Sequence, residues 1–135
     1  MSSPHYMLDT NIASYIVRGA TVPLAAKLRA VPPAQLIISA VTQGEMRYGV
    51  ARRPQAFNLK IAVEAFLSRV TVLPWDAAVS DQYGDLRAAL EARGTPLANL
   101  DTMIAAHALA VEATLVSNDQ AFAQVPNLRL ENWTE

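Results

Sequence analysis

Cysteine is absent from the 135 residues, so the chain forms no disulfide framework, offers no thiolate nucleophile and gives no Cys ligand to zinc. Glycine is scarce, with five scattered residues, and neither GxGxxG nor GxxxxGK[ST] occurs, which excludes a glycine-rich phosphate loop. Histidine is limited to His5 and His107, with no second histidine at ligand spacing, and no serine lies in a Gly-x-Ser-x-Gly elbow. Serine-histidine-acid hydrolysis therefore has no support. Long apolar runs are missing too: Met103 to Ala106 and Ala108 to Val111 fall far short of the roughly 20 residues that a bilayer span needs. With no basic-then-apolar signal layout at the N-terminus, the chain reads as a soluble, cytoplasmic protein with no membrane attachment. Lysine is nearly absent, 2 against 9 arginines, and the net charge of −1 excludes a positively coated surface. Any contact with nucleic acid has to be local and made by arginine, whose planar fork suits phosphate.

The chain that is left has 52% apolar and 17% charged residues, enough for one globular domain spanning residues 1–135 with a sizeable core. Its 24 alanines supply part of that apolar fraction with side chains that a surface tolerates. Short β-rich runs at His5 to Leu8, Leu36 to Ile38, Thr71 to Leu73, Thr114 to Ser117 and Leu128 to Leu130 read as strands. Helical patterns fill the gaps at Thr10 to Val17, Pro23 to Ala30, Ala40 to Arg52, Gln55 to Ser68, Ala77 to Arg93 and Leu100 to Glu112, with a short turn at Gln120 to Ala123. Val79, Tyr83, Leu86 and Leu90 recur at helical spacing, while Asp81, Asp85 and Glu91 lie off that stripe. Ser39 and Asn99 are placed to cap helices, and Gly94 to end one. Met1 to Pro4 are expected to fray. Strand and helix alternating through short connections imply an α/β sandwich, a mostly parallel sheet covered on both faces.

In such a sheet the functional crevice lies beyond the carboxyl ends of the strands. Asp9 directly succeeds the first strand, in Tyr6-Met7-Leu8-Asp9-Thr10-Asn11, and Asp119 comes after a later one, in Leu115-Val116-Ser117-Asn118-Asp119. Each is equally well placed as a helix N-cap. Glu45 shares a helix face with Val41 and Tyr48 at i, i+4 and i+7, which puts a carboxylate on a half-buried stripe. A charge there pairs with an arginine, snorkels to the edge, or serves chemistry. Gly44 just before it leaves room for an approaching group. Asp101 stands in a first helical turn, where the helix dipole favours an acid. His107 lies with Met103 and Ile104 and reads as a satisfied core histidine rather than a ligand or base.

Four segments then fall into a known order and spacing: Met7 to Asn11, Ser39 to Gly49, Leu100 to Leu109 and Leu115 to Asp119. Together they resemble a PIN-domain protein of the VapC type, the toxin half of a toxin-antitoxin pair, and the similarity runs over nearly the whole chain. The resemblance implies a single-domain α/β/α sandwich and an endoribonuclease using Mg²⁺ or Mn²⁺. It also implies a homodimer that binds a cognate antitoxin and meets DNA only through it. Carried over by position, Asp9, Glu45, Asp101 and Asp119 are the family's catalytic and metal-holding acids, and Thr10, Asn11 and Asn118 are small polar positions beside them. Many family members carry a further acid before the Phe of the last motif. This chain reads Ser117-Asn118-Asp119-Gln120-Ala121-Phe122, which leaves that work to Asp119 alone.

The chemistry agrees with the resemblance. Two carboxylates about 4 Å apart repel by roughly 4 kcal/mol at an effective dielectric of 20, so a cluster of four asks for a cation. Hard oxygen donors select Mg²⁺ or Mn²⁺, and such an ion can present water to an RNA phosphodiester for in-line attack. Arg47, Arg18 and Arg87 are candidates for holding flanking phosphates, set against roles in surface solubility or intramolecular ion pairs. The alternative function is a non-catalytic regulatory module that joins an antitoxin on DNA. A haloacid-dehalogenase-type phosphatase is disfavoured because Asn11 stands where its second acid is needed.

Overall fold

The computed structural model describes residues 4–135; Met1 to Ser3, expected to fray with Pro4, lie outside the described residues. In chain order the elements are β1 (Tyr6–Leu8), α1 (Thr10–Arg18), α2 (Val22–Ala30), β2 (Leu36–Ser39), α3 (Ala40–Ala51), α4 (Phe57–Arg69), β3 (Thr71–Leu73), α5 (Ala77–Ala92), α6 (Asn99–Ala110), β4 (Thr114–Val116) and β5 (Leu130–Glu131). Short 3-10 turns lie at Pro33–Gln35 and Gln120–Gln124. All five strands are parallel, in the order β3-β2-β1-β4-β5.

Helices on both faces leave the strands dry on both sides, which is why β1, β2 and β4 are almost uninterrupted apolar runs. Alternation along each strand then sends neighbours to opposite cores. Met7, Ile37 and Leu115 join Leu86 and Leu90 of α5 and Ile104 of α6 on one face. Leu8, Ile38 and Val116 join Ile12, Leu24, Val63 and Phe66 from α1, α2 and α4 on the other. Each such side chain, fully buried, contributes roughly 1.5–3 kcal/mol relative to leaving it in water.

Helix starts obey the sequence punctuation. Asp9, Thr21, Ser39 and Asp76 each turn a side-chain oxygen onto an amide of the succeeding first turn. Gly94 closes α5 at φ +71°, a left-handed conformation natural to glycine. Two expectations need correction. Asn99 does not cap α6: the cap is Ala98, and Thr102 Oγ1 donates back to the Ala98 carbonyl at 2.9 Å. The last strand is also shifted from Leu128–Leu130 to Leu130–Glu131, because Asn127 at φ +66° and the Leu128 amide bonded to the Val125 carbonyl keep the chain turning.

β5 is an edge strand of two residues, held in place by the C-terminal segment. Trp133 is buried against Tyr6, with ring centroids 5.2 Å apart, and donates from Nε1 to Glu131 at 2.9 Å. The Glu131 carbonyl in turn accepts from the Ser117 amide at 3.0 Å, so the chain terminus steadies the loop that carries Asn118 and Asp119.

Candidate active site

The strand order reverses at β1: the chain first builds outward through β2 and β3, then returns to place β4 on the other side. Ligands bind at this kind of switch point, outside the carboxyl ends of the strands. Asp9 leaves β1 there, and Ser117-Asn118-Asp119 leave β4. Ser39 ends β2 and starts α3, whose second turn brings Glu45. Because α6 runs back against β4, its first turn delivers Asp101 to the same end of the sheet.

Asp9 is the most enclosed of the four acids, 4% exposed. Its Oδ1 accepts from the Ile12 amide at 2.9 Å, so the capping role and a place in the site coincide. Its pKa is raised to about 6, first by burial and then by the charges of Asp101 and Asp119, against the pull of the Ser117 hydroxyl and the Ile12 amide. Asp101 is also raised, by burial and by Asp119 and Glu45. The four carboxylates thus feel one another, and no arginine or lysine enters the balance at either Asp9 or Asp101. Glu45 accepts from the Thr10 hydroxyl at 2.5 Å, and Thr10 in turn stands 3.2 Å from Thr42 Oγ1. Asp119 caps the adjoining 3-10 turn through the Ala121 amide at 2.9 Å. Asn118 donates to the Tyr15 hydroxyl at 3.3 Å, and Asn11 is exposed on the rim.

Oxygen donors under mutual repulsion fit a hard divalent cation in charge and in type. Their present bonds keep them apart: among the described residues, no three acid or histidine groups stand together at ligating reach. Asp9 and Asp119 are turned onto backbone amides and Glu45 onto Thr10, so an ion would gather oxygens now engaged elsewhere.

His107 is buried, as expected, but only half satisfied: Nδ1 lies 2.7 Å from Ser39 Oγ, while Nε2 has no partner. Burial lowers its pKa, so it is neutral at physiological pH. The Ser39 bond ties the start of α3 to α6, the two helices that carry Glu45 and Asp101. Arg47 pairs with Glu64 of α4, and Arg87 with Glu91 at 3.0 Å and Tyr83 at 3.0 Å on its own helix, so both take the ion-pair role and neither lines the site. The stripe of Val41, Glu45 and Tyr48 is not the buried face of α3; that face is Thr42 and Met46. The stripe instead walls an open cleft of about 930 Å³ between α1, α3, α4 and α6. Glu45 stands in this cleft, with Thr10 and Asn11, and Arg18, Arg52 and Arg53 lie along it. Arg52 and Arg53 were not among the residues singled out by sequence, although adjacent arginines at a helix end, just before Pro54, were a visible signal.

Comparison with known proteins agrees with this fold. The PIN-domain family model matches residues 6–128. The chain is 37% identical to a protein of Rickettsia felis named Ribonuclease VapC2, covering 95% of this chain and 97% of that one. It is 32% identical to the tRNA(fMet)-specific endonuclease VapC of Shigella flexneri, over 96% and 98% of the two chains. Among solved structures, DNA-bound VapBC from Salmonella typhimurium superposes with a TM-score of 0.90 at 30% identity, covering 97% of this chain and 99% of that one. VapBC2 from Rickettsia felis, bound to a DNA fragment from its promoter, gives 0.88 at 35% identity, covering 95% and 98%. A parallel sheet in the order β3-β2-β1-β4-β5, the family model matched over residues 6–128 and these likenesses over nearly the full chain lead to one assignment: the chain belongs to the PIN-domain family, in its VapC-type branch.

Proposed function

We propose that this chain is an endoribonuclease, the toxin of a toxin-antitoxin pair, and that Asp9, Glu45, Asp101 and Asp119 hold Mg²⁺ or Mn²⁺ at its catalytic centre. The observation that carries the reading is four acids at the carboxyl end of the sheet, two of which, Asp9 and Asp101, have their pKa raised by burial and by the neighbouring carboxylates, with no basic side chain offsetting the rise. Such a cluster opposes folding unless it serves a cation. When bound, the ion supplies Lewis-acid polarisation of a phosphodiester and a water of lowered pKa.

The chain's own residues do the rest. Thr10 holds the Glu45 carboxylate in place, the Ile12 and Ala121 amides hold Asp9 and Asp119, and the Ser39–His107 bond fixes α3 against α6. Fixed acids keep the site negative until a cation arrives, and the open cleft beside Glu45 admits a strand. In a synthetic RNA cutting assay, Glu45→Gln and Asp101→Asn are each expected to lose about a hundredfold or more in rate with circular dichroism unchanged. Full activity in both variants would refute the carboxylate centre.

The same reading supplies the partners. An antitoxin chain is the binding partner, and DNA is met through it; VapBC complexes similar to this chain have been solved bound to DNA. The compartment is the cytoplasm, in keeping with the absence, among the described residues, of any helix long and apolar enough to cross a membrane. A second copy of the chain is the other partner. Its apolar contact is supplied by α4, where Phe57 at 72% exposed and Ile61 at 66% exposed stand one turn apart. Light scattering of the isolated chain at micromolar concentration is expected to give twice the monomer mass, and a monomer would remove the dimer.

A further inference from the structure

The cleft beside Glu45 has a wall that the core does not explain. Gly44 and Gly49 both lie inside α3, where each costs about 1 kcal/mol relative to alanine, yet a Cβ at either position would meet nothing within 4 Å. No packing demand keeps these positions bare. Between them stands Tyr48, 65% exposed, one helical turn beyond Glu45. The Arg52 guanidinium lies 5.4 Å from the centre of its ring, and at that exposure the ring keeps an open face. Arg53 comes next, and across the cleft Arg18 lies 5.4 Å from the Tyr15 ring. Along the seven steps from Glu45 to Arg52 at the helix cap, about 10 Å of helix axis, the wall changes from an acid to bare backbone and an aromatic face, and then to cations.

We infer that this wall of α3 is the track of a single-stranded RNA, with a base stacked on Tyr48 and the neighbouring phosphates on Arg52, Arg53 and Arg18. The inference rests on the ribonuclease reading of the carboxylate centre and adds to it where the strand lies and why it must be unpaired. Aromatic faces accept any base but only when it is free of a duplex, and arginines take phosphates without reading sequence. The bare Gly44 and Gly49 backbone lets sugar and phosphate approach the helix closely. The charge pattern chooses the occupant, because three arginines concentrated at one end match a polyanion running toward a cation-holding centre.

The test is fluorescence anisotropy with a short, labelled, mixed-sequence single-stranded RNA in EDTA, where binding is read without cutting. Tyr48→Ala is expected to weaken binding about tenfold, and Tyr48→Phe to stay within about twofold of the parent. Arg52→Ala and Arg53→Ala are each expected to flatten the salt dependence by about one phosphate contact. Affinity for duplex RNA should not respond to Tyr48→Ala. Tyr48 is exposed and touches no core, so these variants fold. RNA bound through Tyr48 but left uncut with Mg²⁺ would remove the nuclease reading and keep the track. Equal affinity of parent and Tyr48→Ala, or no binding by either, would overturn the track, even if Tyr48→Ala loosened the hold of a partner protein, the result expected of a protein-docking face.

Discussion

Asp9→Asn is expected to make the metal-free chain more stable while removing its ribonuclease activity. Asparagine keeps an oxygen for the Ile12 amide and is as good an N-cap as aspartate, so α1 still starts in the same way. The change removes a buried charge next to two others. The folded carboxyl titrates at about 6 against 3.8 for the ordinary group, because burial and then Asp101 and Asp119 disfavour its ionised form. A folded pKa above the unfolded one means that the native state binds the proton more tightly. Asp9 is therefore harmless below about pH 4, becomes progressively destabilising between about pH 4 and pH 6, and reaches a constant cost of about 3 kcal/mol above that. Near pH 7.5, in EDTA, the variant should melt roughly 10 °C above the parent, and the two should converge near pH 4. Activity should fall about a hundredfold or more. A variant that melts below the parent at neutral pH would show that Asp9 is held by attractive contacts rather than by a site built for a cation.

This opposition between stability and function explains which features could be read from the sequence. Asp9 and Asp119 stood out by position, since an acid directly after an apolar strand lies at the mouth of a parallel sheet. Position alone could not separate a cap from a catalytic acid, and both turn out to be caps whose charges also belong to the cluster. The strands of the sheet interior were legible because burial on both faces makes them continuous apolar runs; β5 was not, because an edge strand of two residues carries no such pattern and its start is set by the turn at Asn127. The face of α3 was misjudged for a related reason. Val41, Glu45 and Tyr48 at i, i+4 and i+7 describe the wall of a cleft as well as they describe a half-buried stripe, and only the tertiary arrangement shows that Thr42 and Met46 face inward. Arginine roles were the least legible. Arg47, four residues before α3 ends, meets Glu64 of α4, a partner seventeen positions away that no local pattern reveals.

Removing the divalent cation is expected to have the largest effect of all. The described residues offer RNA no neutral acid-base pair to replace it: His107 is buried with Nδ1 on Ser39 and its pKa lowered, and His5 lies before β1 at the opposite end of the sheet from Asp9. Several kcal/mol of charge stabilisation would be lost with the ion, so the rate in EDTA should fall about a thousandfold or more. The same chemistry fixes the ends of the fragments. Attack by water leaves a 5′-phosphate and a 3′-hydroxyl, whereas attack by the neighbouring 2′-hydroxyl leaves a 2′,3′-cyclic phosphate and calls for a general base such as histidine. Cutting a chemically synthesised RNA with the purified chain, in Mg²⁺ and in EDTA, and then testing the fragments for direct ligation therefore probes the four-carboxylate centre most directly. Cutting in Mg²⁺ alone, with ligatable 5′-phosphate and 3′-hydroxyl ends, is the expected result; cyclic ends, or undiminished cutting in EDTA, would contradict it.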